Sequence, residues 1–149
     1  MAITSAICNS FKTEILTATH NFTASTGNTF NLALYTSSAD LTTLTTVYVT
    51  SGEVASGGGY TTAGEALTNT GVAKSTVTSY TDFSDVSWTS ASFTARGCLI
   101  YNSSTISGLT SNASVCSIDF GGDKTVSSGT FTIQFPANDS SNAIIRITS

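Results

Sequence analysis

Acid–base chemistry has one obvious candidate in this chain, the single histidine His20. A hydrolytic triad would need that histidine to be oriented by a carboxylate and to lie beside an activated serine. The G-x-S-x-G segment that surrounds such a serine in α/β-hydrolases does not occur here. His20 falls at the end of a predicted helix, where a histidine is compatible with the helix dipole. We therefore expect a structural role for His20 and no enzymatic activity.

Two glycine-rich segments invite comparison with phosphate-binding loops, and neither has the required spacing. In "GGDKT", Asp123 separates Gly122 from Lys124, whereas the Walker pattern needs lysine directly after glycine. An acid at that place would also repel phosphate. "SGGGY" has no third glycine at the position that G-x-G-x-x-G requires. Both segments are better interpreted as turns, and we expect no cofactor.

Metal-ligating patterns are equally weak. Asp82 and Asp85 are the nearest approach to a carboxylate pair, but three positions apart on a strand they would point to opposite faces. In a loop they could share a Ca²⁺, although no EF-hand pattern surrounds them; we expect solvated turn acids and no metal. Cys8, Cys98 and Cys116 show no CxxC or zinc spacing. We expect buried thiols of a protein made in a reducing cytoplasm, with a Cys98–Cys116 disulfide as the alternative.

Aromatic side chains could serve either a sugar-binding surface or the core. Rings exposed on a β-sandwich can stack on carbohydrate, whereas rings within alternating strands are also what cores and interfaces contain. The six considered are Tyr35, Tyr48, Tyr60, Tyr80, Trp88 and Tyr101.

The charge of the chain is low and dispersed. Charged residues make up 9 % of the 149 residues, against about 25 % in average soluble proteins, and the net charge is −4. The five Lys and Arg stand singly, so we expect no binding to nucleic acid or to an anionic membrane. Polarity comes mostly from 28 Thr and 24 Ser. With 40 % hydrophobic residues, such a surface is compatible with partial burial in an assembly.

The elements that would position these residues begin with one amphipathic helix. Apolar residues recur at helical spacing in "TSAICNSFKTEILTATHNF", at positions 7, 11, 15 and 18. We predict a helix from about Thr4 to Thr19, with Thr4 or Ser5 as its cap. The same segment lacks the basic region and long apolar core of a signal peptide, and no run is long enough for a transmembrane helix.

From about residue 29 to 149 the periodicity changes to the two-residue alternation of strands. "TFNLALYTS" alternates, and "RGCLIYNSS" is a continuous apolar run typical of a central strand. Between them, "GEVASGGGYTTAGEAL" predicts a flexible loop or a wide hairpin end. Further strands are predicted in "TTVYVTS", "VAKSTVTSY", "DFSDVSWTSASFTA", "ASVCSIDFGG", "GTFTIQFP" and "NAIIRITS". Roughly seven to nine short strands predict a mainly β fold, one domain over 1–149, as an antiparallel β-sandwich or jelly-roll-like domain.

The C-terminal segment looks structural throughout. In "GTFTIQFPANDSSNAIIRITS", Phe131, Ile133 and Phe135 share one face. Pro136 cannot donate to a strand ladder, and "ANDSSN" has turn chemistry. We predict a hairpin that closes the fold, with a return strand formed by Ile145 and Ile147 or by Ile144 with Arg146.

Several stretches resemble a family of small virion structural proteins of tailed bacteriophages. They follow one another nearly from end to end: "MAITSAICNSFKTEIL", "TFNLALYTSSADL", "GEVASGGGYTTAGEALT", "ARGCLIYNSS" and "IDFGGDKTVSSGTFTIQFPANDSSNAIIRI". The resemblance implies a non-enzymatic virion component assembled in the bacterial cytoplasm, most simply a capsid decoration or cement protein. A tail or head–tail component, or a glycan- or receptor-binding module at a tail tip, is the alternative.

The resemblance also implies partners: further copies of the chain, with a trimer favoured, and the major capsid protein or other virion proteins. A symmetric oligomer is the common arrangement for such proteins. The helix would then pack in the core, cover a sheet edge or contact a neighbour, and the glycine loop would become ordered on contact with a partner. The candidate interface residues are Ile7, Phe11, Ile15, Gly57, Gly58, Gly59 and Tyr60.

Overall fold

The fold consists of two antiparallel sheets and one short helix, seen in a computed structural model that describes residues 2–149. Strands β1, β7, β6, β2 and β3 form one sheet in that order, and β4, β5 and β8 form the other. The predicted mainly β, sandwich-like fold is confirmed. Within the described residues no helix has the length and hydropathy that crossing a membrane would need. The elements are β1 (Ala6–Ile7), α1 (Asn9–Leu16), β2 (Phe30–Tyr35), β3 (Glu65–Leu67), β4 (Asn69–Ser75), β5 (Thr78–Phe83), β6 (Val86–Asn102), β7 (Ala113–Ile133) and β8 (Ile145–Thr148).

The helix is shorter than its apolar spacing predicts. It begins at Asn9 because the preceding residues pair with β7, with Ile7 opposite Cys116. It ends at Leu16, and Ala18 has a left-handed φ of 59° that stops its continuation. A helix is therefore present as predicted, but its predicted ends, Thr4 and Thr19, are wrong. Strand pairing takes the place of the predicted first turn.

The central-strand prediction for "RGCLIYNSS" is confirmed. Its first seven residues, 96–102, form the C-terminal part of β6, which pairs with β2 on one side and β7 on the other. Its side chains alternate between two apolar clusters: Cys98 and Ile100 join the core between the sheets, whereas Leu99 and Tyr101 join a second cluster on the opposite face. The run is continuously apolar because both faces of the sheet are covered there.

An irregular segment covers that second face, where the sequence predicted a strand in "TTVYVTS". Only one bridge forms there, between Val47 and Ala113, so the strand prediction is wrong. Two backbone hydrogen bonds hold the segment along the start of β7: the Tyr48 amide donates to Asn112 (2.9 Å), and the Ser114 amide donates to Thr46 (2.9 Å). The Tyr48 ring stacks on Tyr101 with centroids 4.7 Å apart. The apolar residues of this segment thus pack over the face of the sheet, and the segment does not form a strand ladder.

Strands β6 and β7 are much longer than predicted, because each absorbs two of the predicted strands. Their register runs from Asn102 opposite Ala113 to Val86 opposite Ile133, with four irregularities. Residues 86–95 and 124–133 pair with each other and with no third strand among the described residues; we call this two-stranded part the distal ribbon. Its outer face is joined by hydroxyl pairs, Ser87 with Thr132 and Thr94 with Thr125, each at 2.8 Å.

The predicted closing hairpin is wrong. Strand β8 pairs with β5 in the smaller sheet, placing Ile145 opposite Thr81, and makes no ladder with β7. The turn predicted in "ANDSSN" is confirmed, because Asp139 accepts hydrogen bonds from the amides of Ser141 and Asn142, both at 2.8 Å. The C-terminal segment therefore connects the two sheets instead of folding back on one.

Candidate functional site

His20 is buried, and both of its ring nitrogens form hydrogen bonds. Nε2 lies 2.9 Å from Glu14 Oε2, and Nδ1 lies 3.0 Å from Asn102 Nδ2. Because the Asn102 amide nitrogen can only donate, Nδ1 accepts and Nε2–H donates to Glu14. The ring also packs against Phe11, with centroids 4.9 Å apart. These contacts tie the end of α1 to β6, with His20 beyond the helix rather than in its last turn.

The two aspartates lie in different environments, and the expectation of two solvated acids is wrong for Asp82. Asp82 is fully buried, and its carboxylate accepts hydrogen bonds from the amides of Phe83 (2.8 Å) and Ile144 (3.1 Å). Burial raises its pKa. Asp85 is exposed and accepts from the Phe135 amide at 2.9 Å. Among residues 2–149, no group of three His, Cys, Asp or Glu could hold a metal ion.

The pH dependence of stability should show the signature of this buried acid. The folded-state pKa of Asp82 lies above its ordinary value of 3.8, so its contribution to stability is fully present below that pH. The contribution is lost as the pH rises through the raised pKa. Urea midpoints measured from acid to neutral pH should fall in the wild type relative to Asp82→Asn, which cannot ionise. Parallel pH profiles for the two proteins would contradict this expectation.

The three cysteines are free, buried thiols, so the alternative of a Cys98–Cys116 disulfide is wrong. Cys98 lies opposite Ile118 and Cys116 lies opposite Ile100, so the two are not a directly facing cross-strand pair. Burial raises the pKa of Cys116 to about 12 and that of Cys8 to about 11. Such thiols remain protonated at neutral pH and are poor nucleophiles.

A carboxylate held by tyrosines was missed by the sequence reasoning. Glu53 accepts hydrogen bonds from the hydroxyls of Tyr48 (2.6 Å) and Tyr60 (2.7 Å) and from the Ala63 amide (2.7 Å). The Tyr60 hydroxyl in turn accepts from the Leu34 amide of β2 at 2.9 Å. The network fastens residues 53–63 to the sheet. Its signal in the sequence was a lone acid in a segment with no other charge, flanked by tyrosines.

The glycine loop, residues 57–59, is hydrogen-bonded to the distal ribbon. Of the two predicted alternatives, a flexible loop or a wide hairpin end, the flexible loop is therefore wrong. The Gly58 carbonyl accepts a hydrogen bond from the Ser92 amide at 2.8 Å. Gly58 and Gly59 have φ values of 54° and 81°, and a Cβ on Gly58 would lie 2.3 Å from the Ser92 carbonyl oxygen. Glycine is required here because only it combines the left-handed backbone with so close an approach to the distal ribbon.

The candidate interface residues divide into three groups. Phe11 and Tyr60 are buried in the core of the chain itself and are not available to a partner in this conformation. Ile7 and Ile15 are half-buried against that core. The three glycines, residues 57–59, are exposed. The structure therefore does not bring the seven residues together as one surface.

The aromatic rings do not form an exposed platform. Trp88 is 2 % exposed and lies on the buried face of the distal ribbon, near Tyr60 and Phe131. Tyr35 and Tyr101 are also buried. Tyr48 and Tyr80 are only half-buried, but they lie on different elements. The ring of Trp88 serves packing, and the buried Tyr35 and Tyr101 also donate hydrogen bonds to backbone carbonyls.

An open groove of about 560 Å³ lies between the distal ribbon and the segment leading to β8. Its isoleucine and phenylalanine side chains are all half-buried, which leaves them packed on one side and open on the other. Lys124 is the only charged residue of the lining. We call this cavity the ribbon groove; it is lined by Ile118, Phe120, Lys124, Phe131, Thr132, Ile133, Gln134, Phe135, Pro136 and Ile144.

The ribbon groove has the composition of a surface that binds apolar groups. The prediction that Phe131, Ile133 and Phe135 share a face is correct, since all three line it. Its lining offers aliphatic and aromatic contact and one ammonium group, with no cysteine, histidine or carboxylate. No protein-family model, curated protein or solved structure matches this chain.

Proposed function

We propose that this chain is a non-enzymatic structural component of a tailed-phage virion, with capsid decoration favoured over a tail or head–tail position. The observation that carries the proposal is the open apolar groove on a chain with few charges. Contiguous exposed apolar surface typically belongs to a site of interaction with another macromolecule. Individual apolar side chains elsewhere on the surface add to this: Leu16 is 87 % exposed, Leu44 76 % and Val77 65 %.

The sequence resemblance supports the virion part of the proposal, and the local structure supports the assembly part. The polar side chains are mostly those of 28 Thr and 24 Ser rather than charged groups, so the chain can approach another protein without long-range repulsion. A receptor-binding role through stacked sugar rings has less support, because Trp88 is buried and the half-buried tyrosines are apart.

Quantitative mass spectrometry of purified particles tests the proposal. Copies in simple ratio to the major shell protein, at the shell surface, would support decoration. A small number of copies would move the chain to the neck, tail or fibres. Absence from the particle would overturn the virion proposal.

A groove variant tests whether this surface holds the chain in the particle. Phe120→Ser should abolish rebinding to particles stripped of the protein, because it removes a half-buried ring from the ribbon groove. Val77→Ser is the matched control, since Val77 is an exposed apolar residue in the β4–β5 turn and outside the groove. Circular dichroism should show both variants folded. Equal rebinding of the two would exclude the groove as the attachment surface.

A further inference from the structure

We propose that the ribbon groove binds a second copy of this chain, which inserts Leu44 and places Asp40 beside Lys124. The inference deepens the proposed function, since it rests on the chain being an assembly protein and identifies one partner. It concerns two surfaces of the same molecule. One is the ribbon groove. The other is the Leu44 tip, which comprises Asp40, Thr42, Leu44, Thr45, Thr46, Val47 and Val49.

In the Leu44 tip, an exposed leucine side chain projects from a segment that is anchored by a buried residue and by hydrogen bonds. Leu44 is 76 % exposed, whereas Leu41 beside it is fully buried and anchors the segment in the second apolar cluster. The Asn9 amide donates to the Thr43 carbonyl at 2.8 Å, and the Leu44 amide donates to the Thr42 hydroxyl at 3.2 Å. The backbone that presents Leu44 is therefore fixed by local hydrogen bonds, so little backbone entropy is lost when the leucine binds.

The charges of the two surfaces are complementary. Lys124 is the only charged residue of the groove lining, and Asp40 is the only charged residue around the Leu44 tip. Both side chains are exposed; Asp40 Oδ1 has one long contact, 3.4 Å, from the Ala2 amide. In a chain with 9 % charged residues, a single matched pair has few competitors and can set the orientation of an interface.

Another exposed apolar patch does not fit the groove as well. Val72 and Ile147 are 64 % and 59 % exposed and border a smaller apolar cavity of about 100 Å³ near Ile15. No acidic residue lies among the residues that line that cavity, so it offers nothing for Lys124. The Leu44 tip is the surface that combines an exposed leucine with a carboxylate.

The two surfaces are formed by different parts of the chain. The Leu44 tip is bonded beside the first residues of β7, through the bond from the Ser114 amide to the Thr46 carbonyl, whereas the groove is lined by residues of β7 from Ile118 to Ile133. The two surfaces share no residue, so the tip of one copy can contact the groove of another. Because two different surfaces meet, the contact is heterologous, and its repetition produces a closed ring or an open array.

A charge-swap experiment tests this contact. Sedimentation equilibrium at low salt should show self-association of the wild type. Lys124→Asp and Asp40→Lys should each weaken it by about tenfold, because each places like charges together. The double variant carrying both changes should regain association close to that of the wild type. Lys74→Asp, which alters an exposed lysine of β4 outside both surfaces, is the matched control and should leave association unchanged.

A second pair of variants, one in the Leu44 tip and one outside it, tests the apolar part of the contact. Leu44→Ser should abolish association, whereas Leu16→Ser, which removes an even more exposed leucine at the end of α1, should not. Equal effects of the two would overturn the assignment of the tip. Both sites are exposed, so neither substitution removes a core contact.

The outcomes separate this inference from the proposed function. A wild type that remains monomeric at every concentration, yet is present in particles, would overturn the self-association only. Loss of association in both single charge variants without recovery in the double variant would overturn the Asp40–Lys124 pairing. Self-association with full recovery, in a chain absent from particles, would support this contact and overturn the virion assignment.

Discussion

Replacing Phe30 with alanine is expected to lower the free energy of unfolding by about 3–5 kcal/mol. Phe30 on β2 is fully buried and stacks in parallel on Phe22, with centroids 4.4 Å apart. It also contacts Phe83 of the smaller sheet at 5.6 Å, so its ring joins the two sheets. Removing it would leave a cavity that the surrounding strands cannot collapse to fill. Urea unfolding followed by the fluorescence of the buried Trp88 measures the change.

Phe120→Ala is the matched control for that experiment. It removes the same atoms from a half-buried ring at the ribbon groove, so we expect a loss of no more than about 1.5 kcal/mol. Similar losses for the two variants would mean that the core between the sheets is not centred on Phe30.

Replacing Glu53 with alanine is expected to lower the free energy of unfolding by about 3 kcal/mol. The change removes the acceptor of two tyrosine hydroxyls and of the Ala63 amide, in a place where water has limited access. Glu53→Gln is the matched variant. Its amide oxygen still accepts, and its amide nitrogen can donate to a rotated tyrosine hydroxyl, so we expect a loss of about 1 kcal/mol or less.

Hydrogen exchange locates the effect of the Glu53 substitution. In Glu53→Ala the amides of residues 53–63 should exchange faster, together with the Leu34 amide, which donates to the Tyr60 hydroxyl. Amides in the centre of β6 should be protected as in the wild type, because their ladder does not depend on the carboxylate. Unchanged exchange in residues 53–63 would contradict the view that Glu53 fastens this segment.

Local pattern predicted those elements whose environment is uniform along their length. Residues 97–102 of β6 are buried on both faces of the sheet, and their continuous apolar run predicted this correctly. The start of α1 was not predictable from spacing, because Ile7 belongs to the apolar stripe and yet pairs, together with Ala6, with β7. The closing hairpin failed for a similar reason: Ile145 alternates as a strand does, but nothing local states which strand it joins.

The sequence predicted which apolar residues of the ribbon groove share a face, but it did not predict that this face is open to solvent. Alternation placed Phe131, Ile133 and Phe135 on one face, which is correct. Whether such a face meets a sheet or solvent depends on elements far along the chain. Asp82 was missed as a structural acid for the same reason, since the Ile144 amide is brought to it by the fold. Glu53 was missed although its partners Tyr48 and Tyr60 are near it in sequence, because nothing local shows that both hydroxyls turn towards its carboxylate.

The pairing of β1 with β7 determines when the fold can be completed. Ala6 lies opposite Ser117, so the first strand of the chain has its partner about 110 positions later. While the chain is being synthesised, that strand has no native partner until the start of β7 has left the ribosome. The β6–β7 hairpin, by contrast, closes over the short connection between Asn102 and Ala113 and can form locally. Folding should therefore proceed from the C-terminal half, with the N-terminal strand added to an already formed edge.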